Sequence, residues 1–175
     1  MTEAQLSNAM DAYGSTVYRL ALTRMQNIAD AEDVYQEVFL RLWKQAAEDW
    51  DGDRAKAWLI RTTLNRCADL HRFRLRRPVL SFAEIPDLAQ PEDESRELWE
   101  AGSRLPEKAR TAVHLYYAEG YSTEEISHLM HIPAATVRTR LHRARKQLKE
   151  LLGGIDDETC VSRSDGTNFG PQRAE

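Results

Sequence analysis

The apolar positions of this chain fall into helical rows. Tyr18, Leu22 and Met25 recur at three- and four-residue spacing, the period at which side chains share one face of an α-helix. After Asn27 the segment DAEDVYQEVFLRLWKQA repeats the pattern. Val34, Val38 and Leu42 make one row, while Phe39, Leu40 and Trp43 carry apolar surface further round the cylinder. That is more width than a lone surface helix needs, so the row suits the core of a three- or four-helix bundle and the surplus suits a partner. Asp30 is placed to cap this helix, with Asp33 favouring its dipole. A third segment, Ala55 to Arg77, sets Trp58, Leu59 and Leu64 among arginines. Leu59 and Leu64 read as core; Trp58 reads equally as core or as a ring that stacks on an unpaired base.

From Pro78 to Ser103 the rows stop. Pro78, Pro86 and Pro91 stand among acids and small residues, and no apolar period is sustained until Leu105. This predicts a flexible acidic linker, with a short helical turn compatible near Ser95 to Ala101. The stretch spans about 30 Å as a coil and about 85 Å at full extension, enough for flanking domains to reach separate sites on one duplex. Beyond Gly153 the chain is polar and glycine-interrupted, which predicts a disordered tail.

Between these lies STEEISHLMHIPAATVRTRLHRARKQLKELL, Ser122 to Leu152, which reads as a helix, a tight turn and a second helix. Ser122 with Glu125 forms a capping box, and Ile126, Leu129 and Met130 are the buried side of the first helix. His131 falls in the turn where the backbone needs a positive φ, a region histidine tolerates at some cost. Pro133 opens the second helix. Its apolar stripe is Val137, Leu141, Ala144 and Leu148. Arg138, Arg140, Arg143, Arg145, Lys146 and Lys149 lie elsewhere on it with no acid before Glu150. Such a face suits a polyanion, and Thr139 and His142 share a side with Arg138 where they can meet phosphates or base edges. A basic amphipathic helix also suits a plain solvated face, a calmodulin-like partner or a membrane surface, but a membrane helix needs no capped helix packed ahead of it and usually carries Trp or Phe anchors.

Charge changes the picture only through its distribution. The 175-residue chain is 42% hydrophobic and 30% charged, with a net charge of −4. Yet from Arg54 to Arg77 the bases Arg54, Lys56, Arg61, Arg66, Arg72, Arg74, Arg76 and Arg77 face the single acid Asp69, and the acids gather between Glu84 and Glu100. A phosphate backbone meets the local field over a Debye length of roughly 8 Å, not the total. Cys67 and Cys160 are far apart and have no metal-ligand spacing, which fits reduced thiols in a cytoplasmic protein. His114, His128, His131 and His142 are scattered without a recurrent ligand spacing. Neither a signal peptide nor a membrane span is predicted.

Three blocks together resemble a known family. DAEDVYQEVFLRLWK (Asp30 to Lys44), AWLIRTTLNRCADLHR (Ala57 to Arg72) and the run from Leu105 to Leu152 are similar, in the same order, to the blocks of bacterial RNA polymerase sigma factors of the extracytoplasmic-function group. The resemblance implies an all-α fold of two small helical domains. Region 2 would occupy residues 1–77 and the region 4 helix-turn-helix 104–152, joined by the linker 78–103 and followed by the tail 153–175. It implies a cytoplasmic protein with no catalytic residues, metal or cofactor, whose partners are core RNA polymerase, promoter DNA and an anti-sigma factor. Matched by motif position, Asp33, Gln36, Glu37, Phe39, Leu40 and Trp43 would bind polymerase. Asp49 to Lys56 would be the loop that captures a flipped base. Trp58, Arg61, Asn65 and Arg66 would read and open the −10 element, and Arg138, Thr139, His142 and Arg143 would read the −35 element. Two other readings stay open: a stand-alone helix-turn-helix regulator, and a helical enzyme, for which no acid–base constellation is found.

Overall fold

A computed structural model of the chain describes residues 2–45, 52–76 and 93–152, and every regular element among them is helical. The first lobe is built from α1 (Glu3–Met25), α2 (Ile28–Lys44) and α3 (Gly52–Arg76). Thr2 and Gln5 form a capping box that starts α1, and Gln26, at φ 50°, ends it in the left-handed region. The cap of α2 is Asn27 and not Asp30: the Asn27 side chain accepts from the Asp30 amide at 3.0 Å. Asp30, one turn inside, is buried and paired with Arg74 of α3. Burial pushes its carboxyl above the ordinary carboxylate range against the pull of Arg74.

The expected row Val34, Val38 and Leu42 is buried. With Val17, Ala21, Leu22, Met25, Leu59 and Cys67 it forms the first core. Burial pushes the Cys67 thiol up to about 12, as for an inert core residue.

The second lobe comprises α4 (Asp93–Ser103), α5 (Glu107–Val113), a π-helical turn (His114–Ala118), α6 (Thr123–Met130) and α7 (Ala134–Leu151). Residues 93–103, expected in the linker, are therefore helical; the rest of the linker and the tail lie outside the described residues. Trp99 of α4 packs against the first core.

The lobes are not separate bodies. A second buried cluster joins Leu20 of α1 and Ile60 and Leu64 of α3 to Ala112, Leu115, Ile126, Leu129, Val137 and Leu141 of the second lobe. On α3, Leu59 and Cys67 enter the first core while Ile60 and Leu64 enter the second. At 100° per residue, a one-position shift turns a side chain to another neighbour.

Polar contacts reinforce the joint. The Arg110 guanidinium donates to the carbonyls of Thr23 and Arg24, at the last turn of α1, and to those of Ser103 and Leu105. These are carbonyls that a helix end and a turn leave without internal donors. Gln26 Nε2 donates to the Ser103 carbonyl at 2.7 Å, and Arg24 pairs with Glu107.

Candidate polymerase and nucleic-acid interfaces

On α2 the side away from the core carries Asp33, Gln36, Leu40 and Trp43, all exposed, with Leu40 51% and Trp43 41% accessible. Two large apolar side chains in water on one helix face are what a docking surface leaves uncovered. Phe39, grouped with them by resemblance, is instead buried at 4%, its ring centroid 4.8 Å from that of Tyr35. Its position one residue before Leu40 turns it inward, so it serves the core and is unavailable to a partner. Glu37 is half-buried and bridges elements: its carboxylate accepts from Arg41 at 2.7 Å and pairs with Arg66 of α3 at 2.6 Å.

On α3, Arg61 and Asn65 are exposed and Trp58 and Arg66 half-buried. Trp58 rests against the first core with part of its ring accessible, so both readings of it hold in part. Of the expected base-capture loop, residues 49–51 lie outside the described residues, and 52–56 form the first turns of α3.

The helix-turn-helix follows the expected rules closely. Ser122 Oγ accepts from the Glu125 amide at 3.3 Å, and the Glu125 carboxylate accepts from the Ser122 amide at 2.8 Å. His131 takes φ 52°, and the amides of His131 and Ile132 both return to the Ser127 carbonyl, the left-handed closure that usually selects glycine. Pro133 stands at the cap of α7. Val137, Leu141 and Ala144 are buried, whereas Arg138, Thr139, His142 and Arg143 are exposed together. Thr139 Oγ1 donates to the Ala135 carbonyl at 2.9 Å, and Arg138 pairs at 3.2 Å with Glu124 of α6. Both groups are on the surface, so that pair yields readily to a phosphate or base. Arg145 is occupied differently: its Nε donates to the Tyr117 hydroxyl at 2.6 Å, and its guanidinium lies 5.7 Å from the ring centroids of Tyr116 and Tyr117.

Two exposed basic faces, one per lobe, with an exposed apolar strip beside the first, are thus carried on a joined pair of helical units. The family models that match are Sigma-70 region 2, over residues 9–77, and Sigma-70 region 4, over residues 95–148. The chain belongs to the ECF sigma factors. It is 32% identical to the ECF RNA polymerase sigma factor SigM of Bacillus subtilis over 83% of this chain and 94% of that protein. SigE of Mycolicibacterium smegmatis is 34% identical over 86% of this chain. The chain spans only 62% of that SigE and 39% of the probable sigma factor RfaY of Xanthomonas campestris. In fold it is similar to the sigma factor RpoE of Bartonella quintana, solved with the anti-sigma factor NepR (TM-score 0.72, 24% identity, 85% of this chain and 97% of that one). CnrH, solved with the cytosolic domain of CnrY, gives a TM-score of 0.62 at 25% identity, over 89% and 92%.

The residues that sequence reasoning missed sit between regions 2 and 4. Glu119, just after the π-helical turn, is 7% exposed at its side chain and pairs with Lys56 of α3 at 3.0 Å. Thr16 of α1 donates to the same carboxylate at 3.2 Å. His114 hydrogen-bonds Thr23 through Nδ1 at 3.3 Å and places Nε2 3.8 Å from Glu119. Burial holds the imidazole below its ordinary pKa, with Glu119 opposing. No periodicity announces these residues, because their partners in region 2 are far away along the chain, 103 positions for Thr16 and Glu119 and 91 for Thr23 and His114. Among the described residues no group of His, Cys, Asp or Glu could hold a metal, and no helix is long and apolar enough to cross a membrane.

Proposed function

We propose that this chain is a cytoplasmic transcription initiation factor with no catalysis of its own, which binds core RNA polymerase and directs it to promoters. Region 2, within residues 1–77, docks on polymerase through Asp33, Gln36, Glu37, Leu40 and Trp43. Trp58, Arg61, Asn65 and Arg66 then meet the −10 element. Region 4, within 104–152, reads the −35 element through Arg138, Thr139, His142 and Arg143. The observation that carries this reading is the pairing of both sigma regions, in order, with an exposed basic face on each. By analogy with relatives solved with anti-sigma factors, a protein of that class is the expected inhibitor.

Transcription from a promoter-variant panel by core polymerase plus this chain tests it. Arg138, near the start of α7, is placed for base edges, and Lys146, two turns on, for the backbone. Arg138→Ala is expected to cost about 1–3 kcal/mol and relax preference at one −35 position, whereas Lys146→Ala weakens all promoters alike. Tight site-specific duplex binding by the free protein, with no stimulation of polymerase, would favour the stand-alone regulator.

A further inference from the structure

Arg138, His142 and Arg145 follow one another on α7 at spacings of four and three residues, all exposed, so they leave the helix as one row. Their neighbours differ. Arg138 meets Glu124, a carboxylate that offsets its charge. Arg145 meets phenols: its Nε donates to the Tyr117 hydroxyl at 2.6 Å, and its guanidinium lies 5.7 Å from the ring centroids of Tyr116 and Tyr117. Those rings support each other edge to face, with centroids 4.9 Å apart and planes at 76°. A cation held by neutral rings is fixed in place without losing its charge.

Tyr117 is 57% exposed and is carried by the π-helical turn, outside the helix-turn-helix. Such turns concentrate at functional places. Its oxygen accepts from Arg145, which leaves its single proton free to be donated, and on Arg145 the Nη hydrogens remain beyond the one spent on the phenol. A hydroxyl that accepts from a cation is polarised into a better donor. The pair therefore sets two donors side by side in water, one charged and one neutral, and a phosphate offers two acceptor oxygens of that spacing. Immobilising a long guanidinium side chain in advance also lowers the entropy lost on binding. The fold has little need of the pair, because Leu115, Val137 and Leu141 already seal the turn against α7 in the second buried cluster.

We propose that the Tyr117 hydroxyl and Arg145 form a seat for one backbone phosphate of duplex DNA, which extends the −35 interface from the helix-turn-helix onto the π-helical turn that precedes it. The proposal rests on the reading of α7 as the DNA-reading helix.

Two measurements test it. In the first, the full chain carrying 3-fluorotyrosine is titrated at low salt with a mixed-sequence DNA duplex, and the fluorine resonance that Tyr117→Phe removes is followed. It is expected to shift with added duplex; a resonance unmoved at saturation overturns the seat. In the second, core polymerase with each variant chain is bound to a promoter it transcribes across a salt series. Tyr117→Phe is expected to weaken binding about three- to tenfold at every salt concentration with the salt slope unchanged, since a neutral donor releases no counterion. Arg145→Gln should weaken it about tenfold and lower the slope by about one unit. The double variant should match Arg145→Gln alone, because one seat is lost once, and Tyr116→Phe should bind as the parent does. Parental affinity in Tyr117→Phe overturns the proposal, and a lowered thermal midpoint with that affinity assigns the pair to the fold instead. If Arg145→Gln fails to fold, Arg145→Lys replaces it: the charge and slope stay, the Nε bond goes, and parental affinity again overturns the seat. A parent chain that directs polymerase to no promoter sinks the sigma-factor reading, while the fluorine result stands on its own.

Discussion

At Phe39 and Leu40, adjacent in sequence, the chain assigns opposite duties. Phe39 fills the first core against Tyr35, and Leu40 stands half in water beside Trp43. Replacing Phe39 with Ala is expected to cost roughly 3–5 kcal/mol of folding stability, the loss for a buried aromatic. Trp43→Ala should leave the denaturation midpoint nearly unmoved and weaken capture of core polymerase. A urea titration and a pull-down on core enzyme, run on both variants, separate the roles. Loss of stability in Trp43→Ala with retained capture would remove that residue from the docking face.

The helix-turn-helix is the element in which local rules agree best with one another. Its start has a reciprocal capping box and its turn a left-handed closure, both specified by residues within five positions. Ser122→Ala removes an acceptor for the Glu125 amide and is expected to cost about 1 kcal/mol. His131→Gly relieves a side chain held at φ 52° and should recover up to about 1 kcal/mol. Thermal unfolding of the two variants should therefore move in opposite directions. A midpoint that falls for His131→Gly would mean the histidine makes a contact worth more than its backbone cost.

Across the whole molecule, the joint between regions includes a histidine whose pKa burial lowers. His114 lies between Thr23 of α1 and Glu119, and its pKa is lowered in the folded chain. The unfolded chain then binds the proton more readily, so stability from this site is present above the ordinary histidine pKa of about 6.5 and is lost as the pH falls through that value. Denaturation midpoints are expected to drop progressively as the pH falls below about 6.5, toward the lowered value of the folded chain, and His114→Gln should flatten the drop. An equally steep drop in the variant would assign it to other groups.

What could be read from the sequence was whatever depends on near neighbours. Helical periods, the Ser122 capping box, the left-handed turn at His131 and the exposed cations of α7 all follow from residues a few positions apart, where geometry leaves few choices. The ordered blocks added the family. Even locally, competition defeated one expectation: Asn27 reached the cap before Asp30, whose carboxylate turned to Arg74, 44 positions away. Only the tertiary structure decided which of two faces a side chain joins. Leu64 reads as core in the sequence, yet nothing in its neighbourhood says that the core is shared with region 4, because a single apolar row is compatible with any partner. Glu119, Lys56, Arg110 and His114 were illegible for the same reason. A surface charge and a buried one look identical in a chain, and it is burial against a distant partner, which removes water from both at once, that turns them into a joint.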